Sequence, residues 1–446
     1  MTRTLSKLTT RLGLGGRLRR ASVGSIGVKL VGTLVLFAYG LLLARLLSPA
    51  DYGIYEYIVA WLGLLTIPAV LGLDRLLTRE VASSAQVGAW SEVKGLVRWS
   101  VFVVLILSLA IAVAAGLIAW FASDGVFTPT LVAFWIGCAF LPITALTMVQ
   151  GGIMLGLQHV LVGQVPILIV RPLVASMLLG AAAIVTSERP SALIAVGLFV
   201  IAAFVSLAVS SLLLRKRMPT AIREAQSTYF AKAWSASALP LMLIGGLNIV
   251  NTRVGTVILG SLGNPTDAGI YAVVTRGADL VAFTLVAVNA ALAPTFASLY
   301  AARDTVGLQR IVTRTTRLVM ATALPIAFGM LLFGHWFLHL YGDSFLSGRI
   351  SLSLLVVGQM LGNVLMGSVG TLLTMTGHER SVVWGYSAAV PLNVIFTLLL
   401  APSFGLLGAS VGMVVSVVVL NVILTYFVFK KLGLFATVFG PPGRQR

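Results

Sequence analysis

Apolar positions in this chain fall in long unbroken runs, unlike the two- and three-four-residue periods of half-buried strands and helices in a soluble core. A helix that crosses a bilayer needs roughly 20 mainly apolar residues. Twelve runs of that order are bounded by charges or by Gly, Pro and Asn: 27–47, 54–73, 97–121, 130–156, 161–185, 191–213, 236–260, 270–297, 318–340, 350–374, 382–401 and 407–429. They predict twelve transmembrane helices, here spans 1 to 12, and leave no room for a separate globular domain. The fold class expected is an all-α polytopic membrane protein. A composition of 58% hydrophobic against 10% charged residues excludes a soluble multidomain chain of this length.

Charge adds topology. The net charge of +18 would suit a nucleic-acid partner, but the charges are too dilute to form a groove that tracks phosphates. Their placement accounts for them. With the amino terminus in the cytoplasm, 25 Lys and Arg fall on the cytoplasmic side, Lys29 at the edge of span 1 included, and three fall outside: Arg45, Arg189 and Arg349. Short cytoplasmic loops retain Lys and Arg during insertion, so both termini are expected inside and no nucleic acid is needed. Before span 1, Arg3, Lys7, Arg11, Arg17, Arg19 and Arg20 alternate with Leu5, Leu8 and Leu12 at helical spacing, as in a short helix lying on anionic membrane lipids. A cleaved signal peptide is disfavoured, because span 1 is too long and no small-x-small site follows it. The single cysteine, Cys138, excludes an internal disulfide, a CxxC pair and a thiolate zinc cage.

The chain also repeats itself. SPADYGIYEY (48–57) follows span 1 and NPTDAGIYAV (264–273) follows span 7, with Pro, Asp, Gly, Ile and Tyr coinciding at an offset of 216 residues. The copies lie six spans apart, an even number, so the halves enter the membrane in the same direction. That is a parallel repeat, with the transport path expected between the halves. The expected organisation is a basic segment (1–26), an N-lobe of spans 1–6 (27–213), a cytoplasmic linker (214–235), a C-lobe of spans 7–12 (236–429) and a cytoplasmic tail (430–446), with a central cavity.

ARLLSPADYGIY at the end of span 1, LGLDRLLTREVA at the end of span 2, YGDSF after span 9, TGHERS between spans 10 and 11 and FGLLGASVG opening span 12 together resemble the polysaccharide-transport family. These are the O-antigen-type flippases within the multidrug, oligosaccharidyl-lipid and polysaccharide exporter superfamily. The resemblance runs from about Arg17 to Lys431. It implies a V-shaped pair of six-helix lobes that turns a polyprenyl-diphosphate-linked oligosaccharide from the cytoplasmic to the outer leaflet by alternating access, in the cytoplasmic membrane of a bacterium or archaeon. A polysaccharide polymerase and glycosyltransferases would be its neighbours. Lipid II flippases, which are relatives, usually carry two further carboxyl-terminal helices; only fifteen residues follow Lys431, so peptidoglycan precursor is not the expected cargo.

Charges inside the spans locate the candidate site. A charged side chain at mid-bilayer costs about 2.5–3.5 kcal/mol by insertion scales, so it faces a cavity or a partner. Arg171 (span 5), Arg253 (span 7) and Arg276 (span 8) are the candidates. As cavity cations their planar forks would bind a diphosphate or acidic sugar; as structural groups they would be paired, and Asp279, three residues from Arg276, is the expected partner. Asn248 and Asn251, with Thr252 and Gly255, give span 7 a polar stripe beside Arg253 that would bond sugar hydroxyls, or would glue helices. Lys29 matches in position a cation that family members carry near the lipid headgroup, and snorkelling to the interface explains it equally. The repeat offset puts Phe37 and Ala60 opposite Arg253 and Arg276, so these cations are no part of the duplicated plan. Eight of the sixteen prolines fall within spans, which suits lobes that bend.

No cofactor is expected. With no GxxxxGK[ST] loop for ATP, a secondary transporter remains, and Asp279 is the best carboxylate for coupling to H+ or Na+. Asp74 is expected to be an interfacial partner of Arg75 or Arg79, and Glu56 to lie near water at the outer end of span 2. His335 and His339 have the spacing of a zinc pair, but only Asp343 is near, so no metal is expected. The chain is not expected to be an enzyme: a membrane glycosyltransferase or polymerase would show a large outer loop, and here the outer loops are about ten residues or shorter with lone acids such as Asp124 and Glu188. A drug or cation exporter of the same superfamily is the nearer alternative, and it would call for buried acids where this chain buries three arginines against one aspartate.

Overall fold

A computed structural model describes residues 16–186, 189–438 and 440. Of the basic run expected to form a short helix on the membrane, residues 1–15 are outside the described residues, as is the chain after residue 440, whereas Arg17, Arg19 and Arg20 lie on the helix Gly16–Leu46 that continues into span 1. Twelve helices are long and apolar enough to cross a membrane: Gly27–Leu46, Pro49–Val70, Trp90–Ala122, Pro129–Gly156, Val160–Val185, Ala192–Arg217, Ala231–Ser261, Pro265–Asn289, Thr305–Tyr341, Asp343–Met375, Glu379–Phe404 and Leu406–Leu432. Each matches a predicted span, and the described residues contain no strand. The protein is a multi-pass membrane protein.

Three departures have local causes. Leu73–Val87, between spans 2 and 3, is a helix where the sequence reading has only a basic loop. Its apolar stripe, Leu73, Leu76, Leu77 and Val81, is fully buried, while the charges between these positions keep it below the apolar length of a span. Span 4 breaks at Ala139 into Pro129–Cys138 and Phe140–Gly156. Spans 5 and 10 each contain a π-helical turn, Pro166–Val170 and Met360–Val364, and span 10 breaks again at Gly367, whose φ is +66°. Prolines explain the first π turn; the second lies where Gly358 and Gly362 of span 10 pack on Val414 and Val417 of span 12.

The two copies of the repeat fold alike. Ser48 and Asn264 cap spans 2 and 8, accepting the backbone N–H of Asp51 (3.1 Å) and Asp267 (3.2 Å), with Pro49 and Pro265 at the first helical positions. Asp51 reaches across to accept the N–H of Ala192 at the start of span 6 (3.0 Å), and Asp267 approaches Gly405 at the start of span 12. Gly53 and Gly269, equivalent residues, face one another where spans 2 and 8 cross: a Cβ on Gly269 would lie 3.0 Å from the Gly53 Cα, and one on Gly53 would collide with the Pro265 carbonyl. A backbone-to-backbone approach of the two halves is therefore made by the repeat motif itself, and only glycine permits it.

Away from that crossing, span 2 follows span 7 along its length. Tyr57 packs on Gly260, Ile67 on Gly246, and the Leu71–Gly72 turn lies against Ala238 and Met242. Span 1 meets spans 8 and 9 from Phe37 to Arg45: the Phe37 ring packs against those of Phe337 and Tyr341, Gly40 lies under Arg276, and Arg45 donates to the carbonyls of Leu340 (2.6 Å) and His339 (2.9 Å). One large buried cluster joins the halves at this end. Two smaller ones, around Leu73–Val81 with Trp234 and around Phe296–Val312 with Leu434, lie at the other end. The residues between spans 6 and 7 are anchored on span 3, with Lys94 donating to the carbonyls of Arg223 (2.5 Å) and Ala225 (2.7 Å).

Candidate functional site

Span 7 carries a polar exposed stripe, Asn248 and Thr252, one turn beyond Gly245. Arg253 follows, half-buried, its Cγ and Nε beside Gly63 of span 2, where the missing side chain leaves room for the arginine stem. Among the described residues its guanidinium has no ion pair or hydrogen bond. Asp279 on span 8 is exposed, feels the charges of both Arg253 and Arg276, and accepts from the Gln359 side chain (3.3 Å). Span 2, span 7 and span 8 thus bring together, as one polar lining, a guanidinium without an ion pair or hydrogen bond among the described residues, a carboxylate and an amide.

Arg276 is not part of that lining. Its Nη2 donates to the Glu56 carboxylate at 2.6 Å and its Nη1 to the Tyr52 hydroxyl. This corrects two expectations. Its partner is Glu56, not Asp279, and Glu56 is 1% exposed instead of near water. Span 2 begins at Pro49, five residues before its predicted start, so Glu56 sits two turns inside the helix and faces span 8.

Asn251 is a second correction. It is buried, and its Oδ1 accepts from Asn393 (3.0 Å) and Ser416 (2.6 Å), while its carbonyl also accepts from Asn393 (2.9 Å). These bonds tie spans 7, 11 and 12 together and turn the amide away from the stripe; of the two asparagines, Asn248 alone is exposed. Arg171 lies in another environment again. It follows the π turn of span 5, half-buried, its guanidinium 5.4 Å from the Phe140 ring and 5.5 Å from that of Phe199. Tyr39 and Tyr55, hydrogen-bonded to each other at 2.9 Å, stand nearby. Two ring faces stabilise the cation without neutralising it. Lys29 is exposed, with no side-chain partner among the described residues.

Arg75 is the residue that sequence reasoning passed over as a loop charge. The exposed guanidinium lies over Gly245 of span 7, with Nη2 3.0 Å from where a Cβ would be, and its charge reaches Tyr386 of span 11. Its signal is the LGLDR turn: Leu71 and Gly72 both have positive φ, and that reversal swings Arg75 toward span 7. Asp74 does not form the expected bridge. Its carboxylate accepts the backbone N–H of Arg75, and burial raises it above the ordinary carboxyl range, while Arg79 pairs with Glu80 at 2.8 Å. His339 pairs with Asp343 at 3.1 Å, and among the described residues no three ligating side chains gather to hold a metal. A groove between spans 2, 3 and 4, lined by Trp61, Ile118 and Phe134, contains no charged residue and is separate from these cations.

The fold is shared by solved transporters. An inward-facing multidrug resistance MATE-family transporter of the MOP superfamily aligns with a TM-score of 0.70 at 15% identity over 92% of this chain and 98% of that chain. A MOP-superfamily transporter from Pyrococcus furiosus, whose reversed binding-pocket polarity suggests a different function, gives 0.64 at 15% identity, over 94% and 95%. An outward-facing MATE-family transporter gives 0.63 at 16%, over 94% and 95%. No curated protein matches the sequence. The model of the polysaccharide biosynthesis protein family matches residues 20–300, well over half of the chain, and the protein belongs to that family.

Proposed function

We propose that the protein is a flippase that carries a polyprenyl-diphosphate-linked oligosaccharide across the cytoplasmic membrane of a bacterium or archaeon for surface polysaccharide synthesis. The observation that carries this reading is the guanidinium of Arg253, without an ion pair or hydrogen bond among the described residues and set beside the exposed Asn248 and Thr252. A half-buried cation flanked by exposed amide and hydroxyl groups suits a phosphate with sugar attached. Arg75, Lys29 and Arg171 add positive charge at other levels. In this reading the lobes 27–213 and 236–429 rock about the Gly53–Gly269 crossing, both termini face the cytoplasm, and the contacts of span 1 with spans 8 and 9 close the outer end. The higher likeness to the inward-facing relative accords with that state.

Asp279 is the proposed site of coupling to H+ or Na+, since it is exposed and shares its field with Arg253. A polymerase and glycosyltransferases would work beside the protein. A cation exporter fits less well, because Glu56 is taken up by Arg276 and leaves Asp279 alone against exposed cations. Flipping of a fluorescent polyprenyl-diphosphate sugar in proteoliposomes tests the proposal. Arg253→Ala should lower the rate about tenfold or more, and Arg253→Lys should restore it in part, because an ammonium keeps the charge and loses the two-pronged fit. Unchanged rates in both variants would remove Arg253 from the site; no flipping by the wild type would favour the exporter.

A further inference from the structure

Three carboxamides run in a row from Asp279 on span 8 through span 10 to span 12. Gln359 Nε2 donates to Asp279 Oδ1 (3.3 Å), Asn363 Nδ2 donates to Gln359 Oε1, and Asn421 Nδ2 donates to Asn363 Oδ1 (3.0 Å) and to the Val417 carbonyl (2.9 Å). The row links span 8, span 10 and span 12. Gln359 and Asn421 are buried, and each of the three bonds between side chains points its N–H toward Asp279. That polarity fits a carboxylate, which only accepts.

The row crosses an irregular stretch. Gln359 ends the α-helical part of span 10, Met360–Val364 is the π turn, and Gly367 has positive φ. Next to the amides, Gly358 and Gly362 pack on Val414 and Val417 of span 12 with no room for a Cβ. Span 10 is therefore pressed onto span 12 along a glycine seam, and its extra π residue coincides with the amides.

We infer that Gln359, Asn363 and Asn421 are positioning residues that read the charge of Asp279 and transmit it to the π turn of span 10. A protonated carboxyl donates through one oxygen and accepts through the other. With the proton on Oδ2, Oδ1 still accepts from Gln359 but, being neutral, holds the row more weakly than a carboxylate does. With the proton on Oδ1, the Gln359 Oε1 must replace the Nε2, and each amide behind it meets a like group unless it turns over as well, at the cost of the Asn421 bond to the Val417 carbonyl. Either way the charge of Asp279 decides how firmly the row is held in its present polarity. Buried polar chains of this kind leave an unpaired group wherever the polarity breaks. The groups that act on Asp279 are Arg253 from span 7, Arg276 one turn earlier and the Tyr271 phenol; on spans 2 and 9, Glu56 and Tyr341 face Arg276. A ligand anion on Arg253 would remove the strongest free cation beside Asp279 and so set the row.

The test needs no cargo, so it stands apart from the flippase reading. Hydrogen–deuterium exchange of peptides covering 360–368 is followed in full-length protein in nanodiscs, in acidic and in mildly alkaline buffer, after correction for intrinsic rates. The wild type should change its exchange by about threefold or more between the two. Asp279→Asn should abolish the dependence, and so should Asn421→Leu, which leaves Asp279 in place. Gln359→Met, close in shape, guards against misfolding of the Asn421 variant and should behave identically. A wild type insensitive to pH at 360–368 would overturn the inference, as would an undiminished response in both Asn421→Leu and Gln359→Met.

Discussion

Glu56 on span 2 and Arg276 on span 8 meet at 2.6 Å, while the repeat-related positions, Ala272 and Ala60, are buried alanines. The repeat brings spans 2 and 8 together symmetrically at Gly53 and Gly269, and one turn deeper the symmetry is broken by a single ion pair. Tyr52, the other acceptor of Arg276, likewise has an alanine, Ala268, as its counterpart. Such a pair fixes which face of span 2 meets which face of span 8 near the Gly53–Gly269 crossing.

Removing one partner should therefore be expensive. A buried charge left alone costs about 3–5 kcal/mol, whereas exchanging both partners for apolar residues of similar volume is often neutral. Arg276→Met, which leaves the buried Glu56 without its cation, is expected to destabilise by that amount in denaturant unfolding in detergent. Adding Glu56→Leu should recover most of the loss, and transport by the double variant should fall because the halves lose their registration. A double variant no more stable than Arg276→Met would show that the pair is not the relevant contact.

The glycine crossing makes a sharper prediction. Gly53→Ala would drive a methyl into the Pro265 carbonyl and Gly269→Ala would drive one into the Gly53 backbone. Each should separate the halves and cost about 1–3 kcal/mol by overpacking. Gly180→Ala, also helical but with nothing within 4 Å of the added carbon, is the control and should be neutral or slightly stabilising. Equal behaviour of the three variants would deny the crossing any structural role.

The spans were legible because bilayer thickness imposes a length that no packing detail can override, and twelve runs met it. The repeat was legible for a similar reason: a cap, a proline and a close-approach glycine are each demanded by backbone geometry, so they recur as letters. What the letters did not show was partner choice. Arg276 could meet Asp279 on its own helix or Glu56 on another, and only the extra turns at the start of span 2 place Glu56 opposite it. The helix Leu73–Val87 escaped notice because its stripe is amphipathic instead of wholly apolar, and Arg75 escaped with it. Asn251 and Asn248 look alike in sequence, and three residues of helical rotation send one into the bundle and leave the other exposed beside Arg253.

Arg171 should prove functional without being structural glue. Its cation rests on two rings and, among the described residues, on no acid, so Arg171→Met keeps the apolar stem and ring contacts and loses only the charge and about 1–2 kcal/mol of cation–π attraction. The expected result is a folded protein whose thermal unfolding is little changed and whose transport is at least several-fold lower, with Arg171→Lys in between. Wild-type transport by Arg171→Met would remove this cation from the pathway.

Asp74 predicts a pH effect with a definite sign. Burial raises its carboxyl above the ordinary value, so the folded protein holds that proton more tightly than the unfolded chain does. The associated stability is present below the ordinary carboxyl range and is lost as pH rises through the raised value. Asp74→Asn, which can still accept the Arg75 N–H, should therefore be more stable than the wild type at neutral pH, and the two should converge in acid. Thermal unfolding across that range checks it; a variant less stable at neutral pH would mean that the charge of Asp74 is needed by a neighbour.

The segment after span 12 offers the last prediction. Gln309 reads one residue of it from both sides: its Oε1 accepts the Phe435 N–H and its Nε2 donates to the Phe435 carbonyl, both at 2.8 Å. Arg317 donates to the carbonyls of Val438 and Gly440, each at 3.2 Å, and the Val438 N–H donates to the Leu365 carbonyl just before the break in span 10 (3.3 Å). Leu434 and Ala436 are buried beneath these bonds. The amide of Gln309 imitates a neighbouring strand, so Gln309→Leu should strand two backbone groups and loosen the segment by about 1–3 kcal/mol. Gln309→Glu keeps the acceptor for the N–H but sets a second acceptor against the carbonyl, and should fall between leucine and wild type. Limited proteolysis between Gly433 and Gly440 would read this directly, the leucine variant being cut fastest. Equal cutting of all three proteins would mean that Arg317 and the buried Leu434 hold the segment without Gln309.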